Sequence, residues 1–469
     1  MVAISQGWNG ESAPPHNTRY VWSLACVAAL GGLLFGYDTA VISGAIGFLT
    51  ERFQLNEDLQ GWAVSSALVG CIFGAAFAGA LSDLFGREKV LIATSVLFTV
   101  SAIGSALPRN VTEFVVARML GGFGIGAASM LSPLYIAEIA PAGVRGRLVS
   151  VNQFAIVSGM LVVYFVNAMI AYIGDRIDMQ TWNVAYGWRW MFGSETLPAA
   201  LFFGFLLFVP ESPRWLVKRG RIEEAGHVLA RVSGPKLAGR QLAEITEAVM
   251  SEERSVGQLM RPGLRMALLI GVVLAVLQQV TGINVVLYYA PEIFKSAGLG
   301  ATAAIAQTVI VGAVNLAFTI VAIAVVDRLG RKLLLLFASA GMGVSLVLLG
   351  GAFITGSFEG PWVLLFTLAY VASFAVAMGP VVWVVLSEIF PTRVRGTAMS
   401  VATICLWIAC FAVSQTFPRM LAHLAGKSFF VYAAMCLISL IFITLFVPET
   451  KGKTLEQIER TWIRPTERQ

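Results

Sequence analysis

Two charged residues stand inside long apolar runs. Asp38 lies in Phe35-Gly36-Tyr37-Asp38-Thr39-Ala40, and Arg118 lies in Val115-Val116-Ala117-Arg118-Met119-Leu120. A charge at the centre of a membrane-crossing helix costs about 2.5–3.5 kcal/mol on insertion scales, so each needs a partner or a wet cavity. No other charge is expected to compete within the spans, so the two are expected to pair with each other. Such a pair can work as a proton switch. The carboxylate stays ionised while Arg118 holds it, and takes a proton when the arginine leaves it desolvated. A static ion pair tying two helices together is the alternative.

A second constellation is built of amides and aromatic rings. Gln278, Gln279 and Asn284 stand close together in an otherwise apolar stretch. Neighbours on a helix point about 100° apart. Only one of the two glutamines can therefore face fully into a cavity, unless Thr281-Gly282 breaks the helix. Tyr288 and Tyr289 follow one turn later and can gate an outer mouth. Gln153, Asn315, Trp383 after Gly379-Pro380, and Trp407 lie in other apolar runs. Amides both donate and accept hydrogen bonds, and aromatic faces suit the C–H face of a ring. Together they fit a neutral, hydroxyl-rich solute at a smaller desolvation cost than carboxylates would carry. The plainer readings are an interhelical bond for Asn315 and a place in the interfacial belt for Trp383.

The elements that must position these groups are membrane helices. The chain has 469 residues, 57% hydrophobic and 13% charged, with 30 Phe and 11 Trp. Soluble domains are about 45–50% apolar and roughly 25% charged. That excludes an average soluble enzyme, a disordered chain and a secreted disulfide scaffold. A span needs about 20 mostly apolar residues. Twelve such segments are expected, near 21–48, 59–82, 88–107, 112–138, 147–173, 188–209, 265–296, 302–326, 332–355, 361–388, 396–422 and 427–447. The fold class is thus an all-α membrane protein, with twelve transmembrane helices in two six-helix halves.

The expected organisation is a tail at 1–20, a first bundle at 21–210, a linker at 211–262, a second bundle at 263–448 and a tail at 449–469. Within the linker, Glu223–Ala230 and the stretch around Leu242–Met250 are amphipathic, as short interfacial helices are. The net charge of +6 does not indicate nucleic acid. Of the 33 Lys and Arg, seven (Arg52, Arg109, Arg176, Arg189, Lys295, Arg419 and Lys427) fall outside if both termini are cytoplasmic, and Arg118 lies within a span. The other basic residues share the side of the termini, as the positive-inside rule requires. The first twenty residues are polar, so no cleavable signal is expected. All five cysteines fall in apolar stretches and are expected to be buried core residues. Neither they nor the three histidines have metal spacing, so no metal and no cofactor is expected.

The chain repeats itself. Ser82-Asp83-Leu84-Phe85-Gly86-Arg87 and Val326-Asp327-Arg328-Leu329-Gly330-Arg331 follow spans two and eight. The run from Glu138 to Arg147 closes span four, and the run from Glu388 through Arg393 and Arg395 closes span ten. Pro210-Glu211-Ser212-Pro213-Arg214 and Pro448-Glu449-Thr450-Lys451-Gly452 end the two halves. The partners lie roughly 240–250 positions apart. Two matched halves imply a substrate path between them near the midplane. Asp83, Arg87, Glu138, Arg147, Glu211, Arg214, Asp327, Arg331, Glu388, Arg395 and Glu449 are expected to form a cytoplasmic gating network. Topology signalling alone would not require the matched acids.

These motifs, with Gln278-Gln279-Val280-Thr281-Gly282-Ile283-Asn284, resemble the sugar porter family of the major facilitator superfamily. The likeness covers nearly the whole chain. It implies alternating-access transport with no enzymatic activity. It also implies that positions matching Gln153, Gln278, Gln279, Asn284, Asn315, Trp383 and Trp407 line a sugar pocket, with Phe35, Tyr289, Tyr288 and Gly379 beside them. Family symporters carry an Asp and an Arg at the positions of Asp38 and Arg118, whereas facilitators usually have a neutral residue in place of the Asp. There are departures: Glu88 replaces a usual basic residue, Met160 a second Gln and Leu406 a common amide.

The expectation is a proton-coupled monosaccharide symporter, for a hexose or pentose. It would work as a monomer in the lipid bilayer of a bacterial inner membrane, with sugar and proton as its partners. A passive facilitator or a polyol or inositol porter is the alternative. Gly121-Gly122-Phe123-Gly124-Ile125-Gly126 is read as close helix packing, since no strand precedes it.

Overall fold

The computed structural model describes residues 17–141, 144–250, 262–356, 361–390 and 394–451. The outer parts of both tails, linker residues 251–261 and Arg393 lie outside the described residues, as does the side chain of Asp327.

The first half contains α1 (Thr18–Phe53), α2 (Glu57–Phe85), α3 (Arg87–Ala106), α4 (Val111–Ile139) and α5 (Arg145–Trp182). A π segment, Asn183–Gly187, leads into α6 (Trp188–Gly193) and α7 (Thr196–Leu206). The linker holds α8 (Pro213–Lys218), α9 (Ile222–Ser233) and α10 (Pro235–Met250). The second half runs α11 (Pro262–Val280), α12 (Ile283–Ser296), α13 (Ala301–Leu329), α14 (Arg331–Thr355) and α15 (Trp362–Ser373). A π segment, Phe374–Met378, follows, then α16 (Gly379–Ile389), α17 (Arg395–Leu424) and α18 (Lys427–Phe446). No strand occurs among the described residues.

Among the described residues, eleven spans are helices long and apolar enough to cross a membrane. The expected sixth, 188–209, is the exception. It breaks at Ser194–Glu195 into α6 and α7. The seventh breaks where Gly282 takes φ 96°, between α11 and α12. Helix starts are capped as their sequence dictates: Asn56 Oδ1 accepts from Leu59 N–H and Asn110 Oδ1 from Glu113 N–H, each at 2.9 Å. The two matched loop glycines, Gly86 (φ 103°) and Gly330 (φ 91°), turn the chain sharply between adjacent spans. Only glycine adopts that backbone without strain, which explains the Gly of each repeat.

Within the first half α1 lies on α5 and α2 on α4; within the second, α14 lies on α18. The halves meet along α2 with α17, α5 with α13, and α1 with α12. Polar side chains sit in the interior, while Phe77, Phe165, Phe208 and Phe337 are exposed. That inverted pattern suits a hydrocarbon surround. The linker segments expected to be amphipathic form α9 and α10. Cys71, Cys410 and Cys436 are buried as expected, but Cys405 is only half-buried and Cys26 is exposed on α1. Its apolar neighbours Leu24, Ala25 and Ala28 are buried while Cys26 itself points outward, so an apolar neighbourhood in sequence did not mean a core position.

Candidate functional site

Asp38 on α1 and Arg118 on α4 meet in the interior, 0% and 1% exposed. Arg118 Nη1 bonds Asp38 Oδ1, and Nη2 donates to the Asp38 backbone carbonyl at 3.0 Å. Gly121 makes this approach possible: a Cβ there would lie 2.8 Å from Asp38 Oδ2. The same glycine-rich run lets α4 lie against the α2 backbone at Ala67 and Cys71, so it is a packing surface. The Phe192 ring lies 5.4 Å from the guanidinium carbon, which adds a cation–π contact. Asp38 Oδ2 and Arg118 Nε are buried without a hydrogen-bond partner among the described residues.

A third buried ionisable residue near the pair was missed by sequence reading. Glu195, at the break between α6 and α7, is 1% exposed, and both its carboxylate oxygens lack a partner among the described residues. It lies within electrostatic reach of Asp38 and Arg118. Beside it, Tyr37 Oη and Ser194 Oγ are 2.8 Å apart, tying α1 to the break. The expectation of no further charge within the spans is therefore wrong. The signal was Ser194-Glu195 itself, masked by the apolar average of the segment. Arg189 is a further span-six charge, but its guanidinium caps the Ala106 and Pro108 carbonyls at 2.8 and 3.0 Å.

The amides of span seven form one chain of bonds. Gln278 Nε2 donates to the carbonyls of Met378 (2.8 Å) and Gly379 (3.1 Å), where the π segment of span ten ends. Gln279 Nε2 donates to Gln278 Oε1 at 3.2 Å. Past the break at Gly282, Asn284 Nδ2 donates to Gln279 Oε1 at 2.5 Å and to Cys410 Sγ at 3.0 Å. The break lets both glutamines join one network, while Gln278 itself is anchored to backbone. Asn315 Nδ2 lies 3.9 Å from Met160 Sδ, across the α13–α5 seam. Trp407 is 4% exposed and its ring centroid lies 5.7 Å from that of Phe35, across the halves. Gln153 and Trp383 are half-buried on α5 and α16. Tyr288 and Tyr289 are buried, and Tyr289 Oη donates to the Ser414 carbonyl at 2.9 Å.

At the end opposite the described termini the halves are bonded together. Tyr164 Oη donates to the Leu287 carbonyl at 2.8 Å, Ser65 Oγ to Gln415 Oε1 at 2.7 Å, and Arg419 Nη2 to Asp58 Oδ2 at 2.5 Å.

At the end of the termini, the matched acids serve each half in the same way. Arg87 bonds Asp83 at 3.2 Å and Glu138 at 3.0 Å, and its backbone N–H donates to Glu211 at 2.9 Å. Arg331 bonds Glu388 at 2.9 Å, and its backbone N–H donates to Glu449 at 3.0 Å. These bonds each join helices of one half. Arg147 is exposed, Arg214 opens α8, and Arg395 Nε donates to the Phe390 carbonyl at 3.2 Å. The two acids differ electrostatically. Burial pushes the Glu211 carboxyl up, and the nearby Glu88 charge adds to this against three backbone N–H bonds. Burial also acts on Glu449, but backbone N–H groups of Lys451, Arg331, Lys332 and Thr450 outweigh it and hold the carboxyl below the usual range.

Residues 24–462 match the family model for "Sugar (and other) transporter". The chain belongs to the sugar porter family of the major facilitator superfamily. This sugar porter is 46% identical to the D-xylose-proton symporter of Escherichia coli (strain K12), covering 95% of this chain and 96% of that one. It is 42% identical to the arabinose-proton symporter of Bacillus subtilis (strain 168), over 96% of each. Two solved structures of the E. coli xylose transporter are similar to it. One is the proton:xylose symporter bound to 6-bromo-6-deoxy-D-glucose, with TM-score 0.81 at 46% identity, covering 96% of this chain and 100% of that one. The other is its inward-open conformation, with TM-score 0.83 at 44% identity, over 95% and 100%. The twelve-span, two-half reading stands, and porters of this family are not enzymes.

Proposed function

We propose that this porter imports a monosaccharide together with a proton by alternating access. The observation that carries the reading is the fully buried Asp38–Arg118 pair with Glu195 beside it. A buried carboxylate whose charge depends on one movable arginine is a proton site whose affinity changes with conformation. The relatives named for proton-coupled pentose uptake support the same reading.

Gln279 and Asn284 supply hydrogen bonds to the sugar from the second half. Trp407, Trp383 and Phe35 supply aromatic surface, and Gln153 and Asn315 line the facing walls. The halves rock about this site. The bonds that join them opposite the termini close one mouth, and the matched acid–arginine clusters stiffen each half at the other. The porter works as a monomer, with residues 21–210 and 263–448 as the moving bundles. It sits in a bacterial plasma membrane with both termini in the cytoplasm.

Uptake into energised vesicles tests this. A symporter concentrates sugar above the outside level and loses that ability on adding an uncoupler. Uptake that only equilibrates, with or without uncoupler, would make the porter a facilitator.

A further inference from the structure

Cys410 has no part in the reading above, yet it ends the amide chain. The direction of that chain is fixed at its other end. The carbonyls of Met378 and Gly379 can only accept, so Gln278 must present its Nε2 to them and its Oε1 to Gln279. Gln279 then presents Nε2 to Gln278 and Oε1 to Asn284. Asn284 in turn has one N–H on Gln279 and the other on Cys410 Sγ at 3.0 Å. Both donors of Asn284 are consumed. Its Oδ1 is the polar atom that remains for a ligand.

Cys410 is 0% exposed, with Tyr288 and Ser414 beside its sulfur. A thiol is a weak donor and a weak acceptor. It occupies the second N–H of Asn284 without offering a strong group of its own. One turn earlier on α17, Trp407 Nε1 is buried with no partner among the described residues, its side chain 4% exposed. Positions three apart on a helix lie on one face. That face therefore pairs one free donor, the indole N–H, with the acceptor that Cys410 fixes on Asn284.

We propose that Cys410 is a specificity-determining positioning residue that locks Asn284 as a hydrogen-bond acceptor. The substrate selected is a sugar whose hydroxyl at that point donates. This rests on the sugar-import reading and deepens it.

Deoxy and deoxyfluoro analogues of the transported sugar test the lock, because fluorine accepts weakly but cannot donate. In wild type, the analogue pair at the position facing Asn284 loses affinity equally, by about 5- to 100-fold in KM, as expected for an unpaired buried polar group. In Cys410→Ala the amide is free to turn its N–H to the ligand. The fluoro analogue should then bind at least about threefold better than the deoxy one. Cys410→Ser keeps an acceptor and should restore the wild-type pattern. If Cys410→Ala does not fold, the Cys410→Thr and Cys410→Val pair makes the same comparison at equal volume.

An unchanged fluoro-to-deoxy ratio in the Ala or Val variant, or a Ser or Thr variant that behaves like them, overturns the proposal. Sugar transport that persists with that outcome leaves the import reading intact. A wild type that carries no sugar in a hexose and pentose panel sinks both.

Discussion

Arg118 grips Asp38 twice, by the carboxylate and by the backbone carbonyl at 3.0 Å. The second bond survives protonation of the acid, so α1 and α4 stay joined while the charge on Asp38 changes. Asp38→Asn therefore keeps the helix contact and removes the titrating group. The expected outcome is loss of concentrative uptake with sugar exchange retained in counterflow assays. Arg118→Leu leaves a buried acid without its partner and should cost about 3–5 kcal/mol of stability while the acid is ionised. A thermal-shift series on the purified variant measures this, and an unchanged midpoint would contradict the burial argument.

Glu195 adds a second acid beside one arginine. Glu195→Gln keeps the shape of the side chain and removes the second ionisable group near the Asp38–Arg118 pair. If Glu195 takes part in the coupling, the pH profile of uptake should change, with KM for sugar changed less than about threefold. Initial rates across pH 5–8 decide it. A superimposable pH profile would mean that Glu195 is a bystander.

The two glutamines have separate duties. Gln278 satisfies two span-ten carbonyls, so Gln278→Leu strands buried acceptors at about 1–3 kcal/mol each and should lower the melting point. Gln279 keeps one N–H beyond its bond to Gln278. Gln279→Ala should raise KM by about tenfold or more with a smaller thermal shift. Measuring KM and melting point on both variants separates the roles, and identical effects would contradict the assignment.

Glu211 and Glu449 occupy matched places but titrate oppositely. Glu211 has a raised pKa, so its contribution to stability is present at low pH and lost as pH rises through that value. Glu449 has a lowered pKa, so its contribution is present at neutral pH and lost only as pH falls below the usual carboxylate range. Glu88 stands where the second half has Lys332. Glu88→Lys should therefore bring the Glu211 titration down and raise the melting point at pH 7 more than at pH 5. Melting curves at the two values check this, and a pH-independent shift would contradict it.

Much of this was legible in the sequence for physical reasons. Twenty apolar residues can do little but span. Asp38 and Arg118 stood out because a charge in such a run is costly. Gly86 and Gly330 repeat because one tight turn is made twice. What stayed hidden depended on contacts distant in sequence. Glu195 sat beside a serine in a segment that averaged as a span, and only the α6–α7 break brings it to the pair. Gln278 looked like a ligand group until the span-ten carbonyls claimed both its N–H groups. Cys410 looked like an inert core residue, and only the fold places it 126 positions away on Asn284.

The most direct test is sugar-dependent proton movement in liposomes holding the purified porter, with no imposed gradient. A downhill pulse of the transported sugar should drive protons the same way, and Asp38→Asn should abolish that signal while counterflow continues. Sugar entry by the wild type without any proton movement would contradict the coupling of Asp38 to transport.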